Sequence, residues 1–504
     1  MISKIYYFLR KIFFISFIII SIFSINFYEG SSLIYLIYCL IFILMFYYLT
    51  DNKASYFEIF LSTYLFLGFW FKYVFSLILF NGRVFDSGQN RSTNIDDILI
   101  IGIIIACILL FSSFINKKII NKKIYFQQKI KKTNFFEIFY LENKYKTLFS
   151  FLLIVFFIGM INLKYGIYQR GFIPVTETNF LIQNTIKWLL LFGFTTFSCF
   201  IINVEILNKK KVSYLTFLIS IFEIFISYSS MLSRIFVINA SSLLLPLYQK
   251  ISSLKKKYDK FFFLFIIIIF ILTLVSMFFV NDYRLSKLDL IKSNLIKSES
   301  LNSKTKNNEF KSKELKKIEE FNFQVLTHNK HKKGKITSND VTMFILVNRW
   351  IGIDSLILVH SSNKTSFELF RNAFKETKMK NQLTFYEKTF NLEKYILQSN
   401  KEFLKGNTLP GFVTFLYYPG NLFFLAISIL MVITTFNIFE KYLINNSNNN
   451  LIYVCFISNI IATRLIHFGY APKDSYLFLT SIFLSILFLL ILNNSIFPSV
   501  NKNK

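Results

Sequence analysis

Nine of the 57 basic residues in this 504-residue chain are arginines, so arginine is scarce where lysine is plentiful. A guanidinium keeps its charge at any physiological pH and offers a planar fork that grips phosphate oxygens two at a time, whereas a lysine amine is a mobile point charge. Arg170 lies in KYGIYQRGFIPVTETNF, Arg234 in SYSSMLSRIFVINASSLLLP, Arg284 in FVNDYRL and Arg349 in NRWIGID. Arg464 and His467 share NIIATRLIHFGYAPKDSYLFL with Gly469, Tyr470 and Pro472, a richer set than anchoring at a lipid boundary requires. A single interfacial arginine is ordinarily an anchor; several on one side of a membrane form a site for a diphosphate. Asp354 is the acid nearest Arg349 and fits two roles, an ion pair that holds its segment or a general base, and His467 is the second candidate for proton transfer. Glu223, within SIFEIFISYSS, is either a proton or substrate site or a carboxyl bonded to a neighbouring helix. Lys72 and Lys187 read as amines extended toward an interface.

Other chemistries find less support. His328 and His331 have helical spacing, and His360 lies nearby, but the polar HNKH setting does not make a metal site. Cys39, Cys107, Cys199 and Cys455 are isolated within apolar blocks, with no CxxC pair, so neither a disulfide framework nor a zinc site is expected. No P-loop, Gly-rich dinucleotide motif, HExxH or internal repeat occurs. The formal charge of +29 comes with abundant Lys and Asn, a bias of AT-rich coding, and is a poor reason to expect nucleic acid.

The elements that must position these residues are membrane helices. Hydrophobic residues make up 54% of the chain and gather in long blocks separated by basic patches. A hydrocarbon core of about 30 Å needs about 20 apolar residues in a helix. Twelve segments meet or approach this: 11–27, 31–49, 56–80, 97–116, 147–163, 181–206, 214–230, 234–249, 260–280, 410–438, 451–468 and 474–492. With the N-terminus inside, the cytoplasmic connections hold Lys4, Arg10 and Lys11, the basic run from Lys117 to Lys146, Lys209 to Lys211, Lys255 to Lys257 and the C-terminal lysines. The short outer connections hold little beyond Arg83, Arg91, Lys164, Arg170, Arg234 and Lys473. Basic loops resist translocation, so both termini are expected in the cytoplasm, and the first span is an uncleaved anchor.

The expected fold is therefore an all-α polytopic membrane protein: spans one to nine in 1–280, a large, partly helical periplasmic loop in 281–409, and spans ten to twelve in 410–504. Within the loop, Ser286 to Lys335 is polar and solvated. Val341 to His360 is long enough to cross, but Arg349 and Asp354 would each cost about 2.5–3.5 kcal/mol at the bilayer centre, which keeps it outside, on the surface or packed against the bundle. Phe367 to Phe374 and Leu383 to Leu397 carry aromatics at helical spacing and read as amphipathic helices over the outer surface. Pro410-Gly411 breaks the chain before the tenth span, and Pro419-Gly420 kinks or interrupts it.

Four runs, SRIFVINASSLLLP (Ser233 to Pro246), NRWIGIDSLILV (Asn348 to Val359), PGFVTFLYYPGNLFF (Pro410 to Phe424) and RLIHFGYAPKDSYL (Arg464 to Leu477), together with the late outer loop, resemble bacterial oligosaccharide repeat-unit polymerases of the O-antigen polymerase type. The resemblance implies transfer of a glycan from a polyprenyl diphosphate onto a lipid-linked repeat unit at the periplasmic face of the inner membrane. An acceptor hydroxyl would attack the anomeric carbon as lipid diphosphate leaves. Arg349, Arg234 and Arg464 would then stabilise the leaving group, Asp354 and His467 would be candidates for proton transfer, and Arg170, Arg284 and Tyr470 would bind substrate. No metal or soluble cofactor is required; the implied partners are lipid-linked oligosaccharides, membrane lipid and a chain-length regulator. The competing classes are an O-antigen ligase, a flippase or transporter for lipid-linked sugars, a membrane O-acyltransferase and a purely structural scaffold. A flippase would have little use for the outer loop, and no histidine lies in the first nine spans to serve an acyltransferase.

Overall fold

The computed structural model describes residues 2–51, 54–80, 95–116, 135–170, 176, 178–209, 212–233, 236–252, 263–280, 282–283, 347, 350–376, 384–390, 409–447, 449–467 and 476–493. Every regular element among them is a helix. In chain order these are α1 (Ile2–Ser24), α2 (Ser32–Leu49), α3 (Tyr56–Phe66), α4 (Lys72–Phe80), α5 (Ile95–Ile115), α6 (Phe135–Glu142), α7 (Lys144–Tyr165), α8 (Phe180–Trp188), α9 (Phe194–Lys209), α10 (Tyr214–Ser230) and α11 (Phe236–Ser252). There follow α12 (Phe263–Val280), α13 (Ile353–Ser361), α14 (Phe367–Phe374), α15 (Phe385–Thr389), α16 (Gly411–Tyr417), α17 (Leu422–Asn446), α18 (Leu451–Ile466) and α19 (Tyr476–Asn493). Two π-helical turns, Leu67–Phe71 and Leu189–Gly193, join α3 to α4 and α8 to α9 without a break.

Eight of these helical stretches are long and apolar enough to cross a membrane, and four shorter apolar helices, Tyr214–Ser230, Phe236–Leu247, Leu451–Ile466 and Phe478–Asn493, fill the remaining expected segments. The helices turn their largest apolar side chains outward: Phe157 is 70% exposed, as are Phe13, Ile19 and Phe23 of α1 and Phe270 and Phe278 of α12 in similar degree. Water would not tolerate such a surface, whereas lipid solvates it and helices satisfy their own backbone there. The chain is a multi-pass helical membrane protein.

Local signals set the helix ends. Ser55 and Glu58 form a capping box at the start of α3. Asn421 accepts from Phe423 N and Phe424 N at the start of α17, and Asn450 from Tyr453 N at the start of α18. Gly166 ends α7 in the left-handed region. The expected interruption at Pro419-Gly420 is present: the segment from 410 is two helices, α16 and α17, separated at Gly420 (φ 72°), and α17 runs on to Asn446, beyond the expected end.

At the centre lie α3 and α18, packed on each other, with α11 on the far side of α18 and α17 against α5 and α3. Glu440 of α17 accepts from Tyr56 N (3.0 Å) and Phe57 N (2.8 Å), so its charge meets the positive end of α3, and Ser458 of α18 donates to the same carboxylate at 3.0 Å. Glu58 accepts from the amides of Asn116, just past α5 (2.9 Å), and Asn437 of α17 (3.0 Å). These contacts bind one end of α3 to three neighbours. On α9, Glu205 pairs with Lys144 at 2.6 Å and accepts from Tyr140, Ser213 N and Thr216.

Candidate functional site

The run from Val341 to His360 is not one helix: Trp350 to Gly352 is non-helical, and α13 begins at Ile353. Ile353, Leu356 and Val359 are fully buried, so of the two expected placements this helix takes the one packed against the bundle. What holds it there is a contact between backbones. A Cβ on Gly68, inside the first π-turn, would stand 2.1 Å from Ile351 O, and one on Gly352 would stand 2.3 Å from Gly68 O. Only glycine at both places lets the strands of main chain touch. One turn further on, Lys72 Nζ is 3.0 Å from Asp354 Oδ2 and donates to Trp350 O at 3.1 Å, while Gly352 N donates to Asp354 Oδ1 at 3.2 Å.

This answers two expectations. Lys72 does not extend to an interface; its side chain has no exposed surface, because a carboxylate and a carbonyl from α13 and the turn before it meet it inside the bundle. Asp354 takes the ion-pair role, with Lys72 as its partner. A buried pair of this kind fixes relative position; losing one partner strands a charge.

Around the same point α16 joins. Ser355 Oγ donates to Pro410 O (2.9 Å) and lies 2.9 Å from Thr414 Oγ1; His360 Nδ1 is 2.9 Å from Tyr417 Oη. A Cβ added to Gly411 (φ 68°) would stand 3.0 Å from Ile466 O, so the start of α16 rests on the end of α18. Leu65, Phe69, Ile351, Gly352, Gly411 and Ile466 surround a hollow with room for about one water molecule. At the end of α18, His467 Nδ1 lies 2.8 Å from Thr463 O, within hydrogen-bond reach. Tyr64 of α3 lies 2.5 Å from Thr463 Oγ1 and 3.1 Å from Asn459 Oδ1, and Asn459 donates to Asn239 Oδ1 of α11 at 2.6 Å. A polar seam thus crosses α3, α18 and α11 within the bundle.

Two of the candidate arginines lie on aromatic faces. Arg464 stands over Phe478 and Arg170 over Tyr228, each at 5.7 Å from the ring centroid. The loop carrying Arg170 is held by Asn162, which donates to Tyr168 O (3.0 Å) and Ser230 O (2.9 Å) and accepts from Tyr168 N (2.8 Å); Arg170 N donates to Met231 O at 2.9 Å. Arg349, Arg234, Arg284 and Tyr470 lie outside the described residues, as do Arg83, Arg91, His328 and His331. Asp354 and His467 belong to segments that meet at Gly411. Among the described residues no group of three or more His, Cys, Asp or Glu could hold a metal ion.

Residues that the sequence reading passed over are Gly68, Ser355, Thr414, Tyr417, Tyr64 and Asn459. Gly68 had a signal: a glycine in the middle of a Phe-rich apolar block marks a close backbone approach. The seam had none, since Tyr64, Asn239 and Asn459 are far apart in the chain. Comparisons with protein-family models, with curated proteins and with solved structures give no match.

Proposed function

We propose that this chain is a surface-polysaccharide repeat-unit polymerase. It would transfer a polyprenyl-diphosphate-linked glycan onto a lipid-linked repeat unit at the outer face of a bacterial inner membrane. One observation carries the reading. The four runs that prompted the resemblance, distant in sequence, converge on α3 and α18: the first through Asn239 on Asn459, the second through Gly352 on Gly68, the third through Gly411 on Ile466, and the fourth as the end of α18 itself. Segments that serve one reaction must meet, and these four do.

In this reading twelve helices cross, both termini are cytoplasmic, and residues 281–409 form the outer loop. The acceptor hydroxyl attacks the anomeric carbon and the bond to the diphosphate oxygen breaks. The charge on the departing diphosphate is met by guanidinium groups, Arg464 and Arg170 with Arg349, Arg234 and Arg284, which need no proton movement to serve. His467, at the end of α18, is the candidate base for the acceptor hydroxyl. Asp354, committed to Lys72, positions the turn that follows Arg349 rather than taking a proton.

Deletion of the gene tests the reading directly. A polymerase leaves single repeat units attached to the surface lipid, and the long ladder disappears from a polysaccharide gel. Complete loss of attached sugar would instead identify a ligase or a flippase. At equal protein level, Arg464→Ala should shorten the ladder severely and Arg464→Lys should do so only in part; full-length chains from both would remove Arg464 from the reaction.

A further inference from the structure

Helix α14 has three sides, and each runs its full length. At about 100° per residue, Leu369, Phe370 and Ala373 fall on one side, packed toward the bundle, with the Phe370 ring 5.2 Å from that of Phe415 and 5.4 Å from that of Phe424. Phe367 and Phe374, about two turns apart, form the next side and are 56% and 54% exposed. Glu368, Arg371 and Asn372 make the third, all exposed, and exposed Lys375 extends it past the helix end. Amphipathic character was expected from the sequence; which side meets the bundle comes from the packing.

An aromatic stripe beside a charged one is satisfied by neither water nor hydrocarbon alone. A helix crossing a bilayer here would carry Glu368 and Arg371 into lipid, and one standing in water would leave two phenylalanines wetted. Both stripes run along the helix, so only a boundary parallel to its axis suits each of them.

The neighbouring helix puts that boundary at the matching height. From Leu422 to Phe439 α17 has no charged residue, and Glu440 and Lys441 follow, so its apolar part is about 27 Å long, slightly less than the hydrocarbon of a bilayer. Its first turn therefore stands at the hydrocarbon edge. α14 is fixed to that turn: the rings of Phe367 and Phe424 meet edge-on at 5.4 Å, Ser366 N donates to Tyr418 O at 2.8 Å, and a Cβ on Gly420 would stand 2.7 Å from Thr365 Oγ1. Leu422 and Phe423, 39% and 74% exposed, carry the apolar surface beyond Phe367 onto α17.

We propose that α14 lies in the membrane interface as an amphipathic anchor, with Phe367 and Phe374 among the acyl chains and Arg371 and Lys375 at the level of the lipid phosphates. Cationic side chains at that depth meet the anionic groups of phospholipids. Through Thr365 and Ser366 the anchor grips the break between α16 and α17, and so sets the height of α16 relative to the bilayer surface. The assignment depends neither on the polymerase reading nor on which leaflet α17 starts in.

The test is spin labelling of the full-length protein in phospholipid nanodiscs, in a Cys107→Ala background, since Cys107 is exposed and the other three cysteines are buried. Phe367→Cys, Arg371→Cys, Asn372→Cys and Phe374→Cys are labelled one at a time. Collision rates are then compared for oxygen, which concentrates in lipid, and nickel ethylenediamine diacetate, which stays in water. The oxygen-to-nickel ratio should be several-fold higher at the two phenylalanine positions than at Arg371 and Asn372. Phe374→Cys and Arg371→Cys decide the matter if loss of the Phe424 contact unfolds the Phe367 variant. A ratio alike at all tested positions, whether high or low, overturns the interfacial placement. Collisions with neither reagent at Phe374→Cys would reveal a second protein surface over the stripe and overturn the lipid contact equally.

Discussion

The first and third apolar segments have nearly equal claims to be membrane spans, yet 11% of the window in the first is buried within the protein against 72% in the third. Hydropathy marks which segments meet lipid somewhere; it does not say which lie inside. The difference is in the minority residues. The described face of α1 offers lipid Phe13, Ile15, Ile19, Ile22 and Phe23, while α3 and α4 carry Glu58, Ser62, Tyr64, Gly68 and Lys72, each answered by a neighbouring helix or by its own backbone. An interior helix in a bilayer is recognised by the polar and small residues it can afford to contain.

Substitutions sharpen this contrast. Gly68→Val should have the largest effect, because a side chain there enters the backbone at Ile351; the expected result is loss of folded protein on size-exclusion chromatography in mild detergent. Next comes Lys72→Met, which strands the buried Asp354 carboxylate and should destabilise by about 3–5 kcal/mol. The double change Lys72→Met with Asp354→Asn should recover much of this in a denaturant titration, and a double variant no better than the single one would deny the pairing. Glu440→Gln keeps the shape but removes charge from the start of α3, and should cost about 1 kcal/mol by the same titration. Ile19→Ala on α1, 60% exposed to lipid, should change stability by less than about 0.5 kcal/mol. A larger loss at Ile19 than at Glu440 would invert the comparison.

The helical membrane architecture was legible because a bilayer demands about 20 apolar residues per crossing and the chain spells them out. Pro410-Gly411 and Pro419-Gly420 were legible as breaks, although not as the ends of a separate short helix. The site was legible only as pieces. The structural role of Lys72 was legible but its place was not, because the acid that holds it is Asp354, far along the chain, and spacing within one helix cannot reveal a partner on another. Asp354 was set beside Arg349 by adjacency in sequence, while the fold turns it toward Lys72. Glu223 was read as a functional group or as a carboxyl bonded to a neighbouring helix; Thr195 and Ser198 of α9 supply that bonding, and their ordinary residue types gave no hint of it.

The π-turn at Leu67–Phe71 accommodates one residue more than an α-helix of the same rise would hold. Removing that residue would let the helix run regularly, but each position in an α-helix is set about 100° around the axis from the next. Everything from Lys72 onward would then swing by more than a quarter turn relative to the half before it, carrying the amine away from its carboxylate. A lineage of such chains could therefore not shorten this stretch by a single codon without re-aiming half a helix.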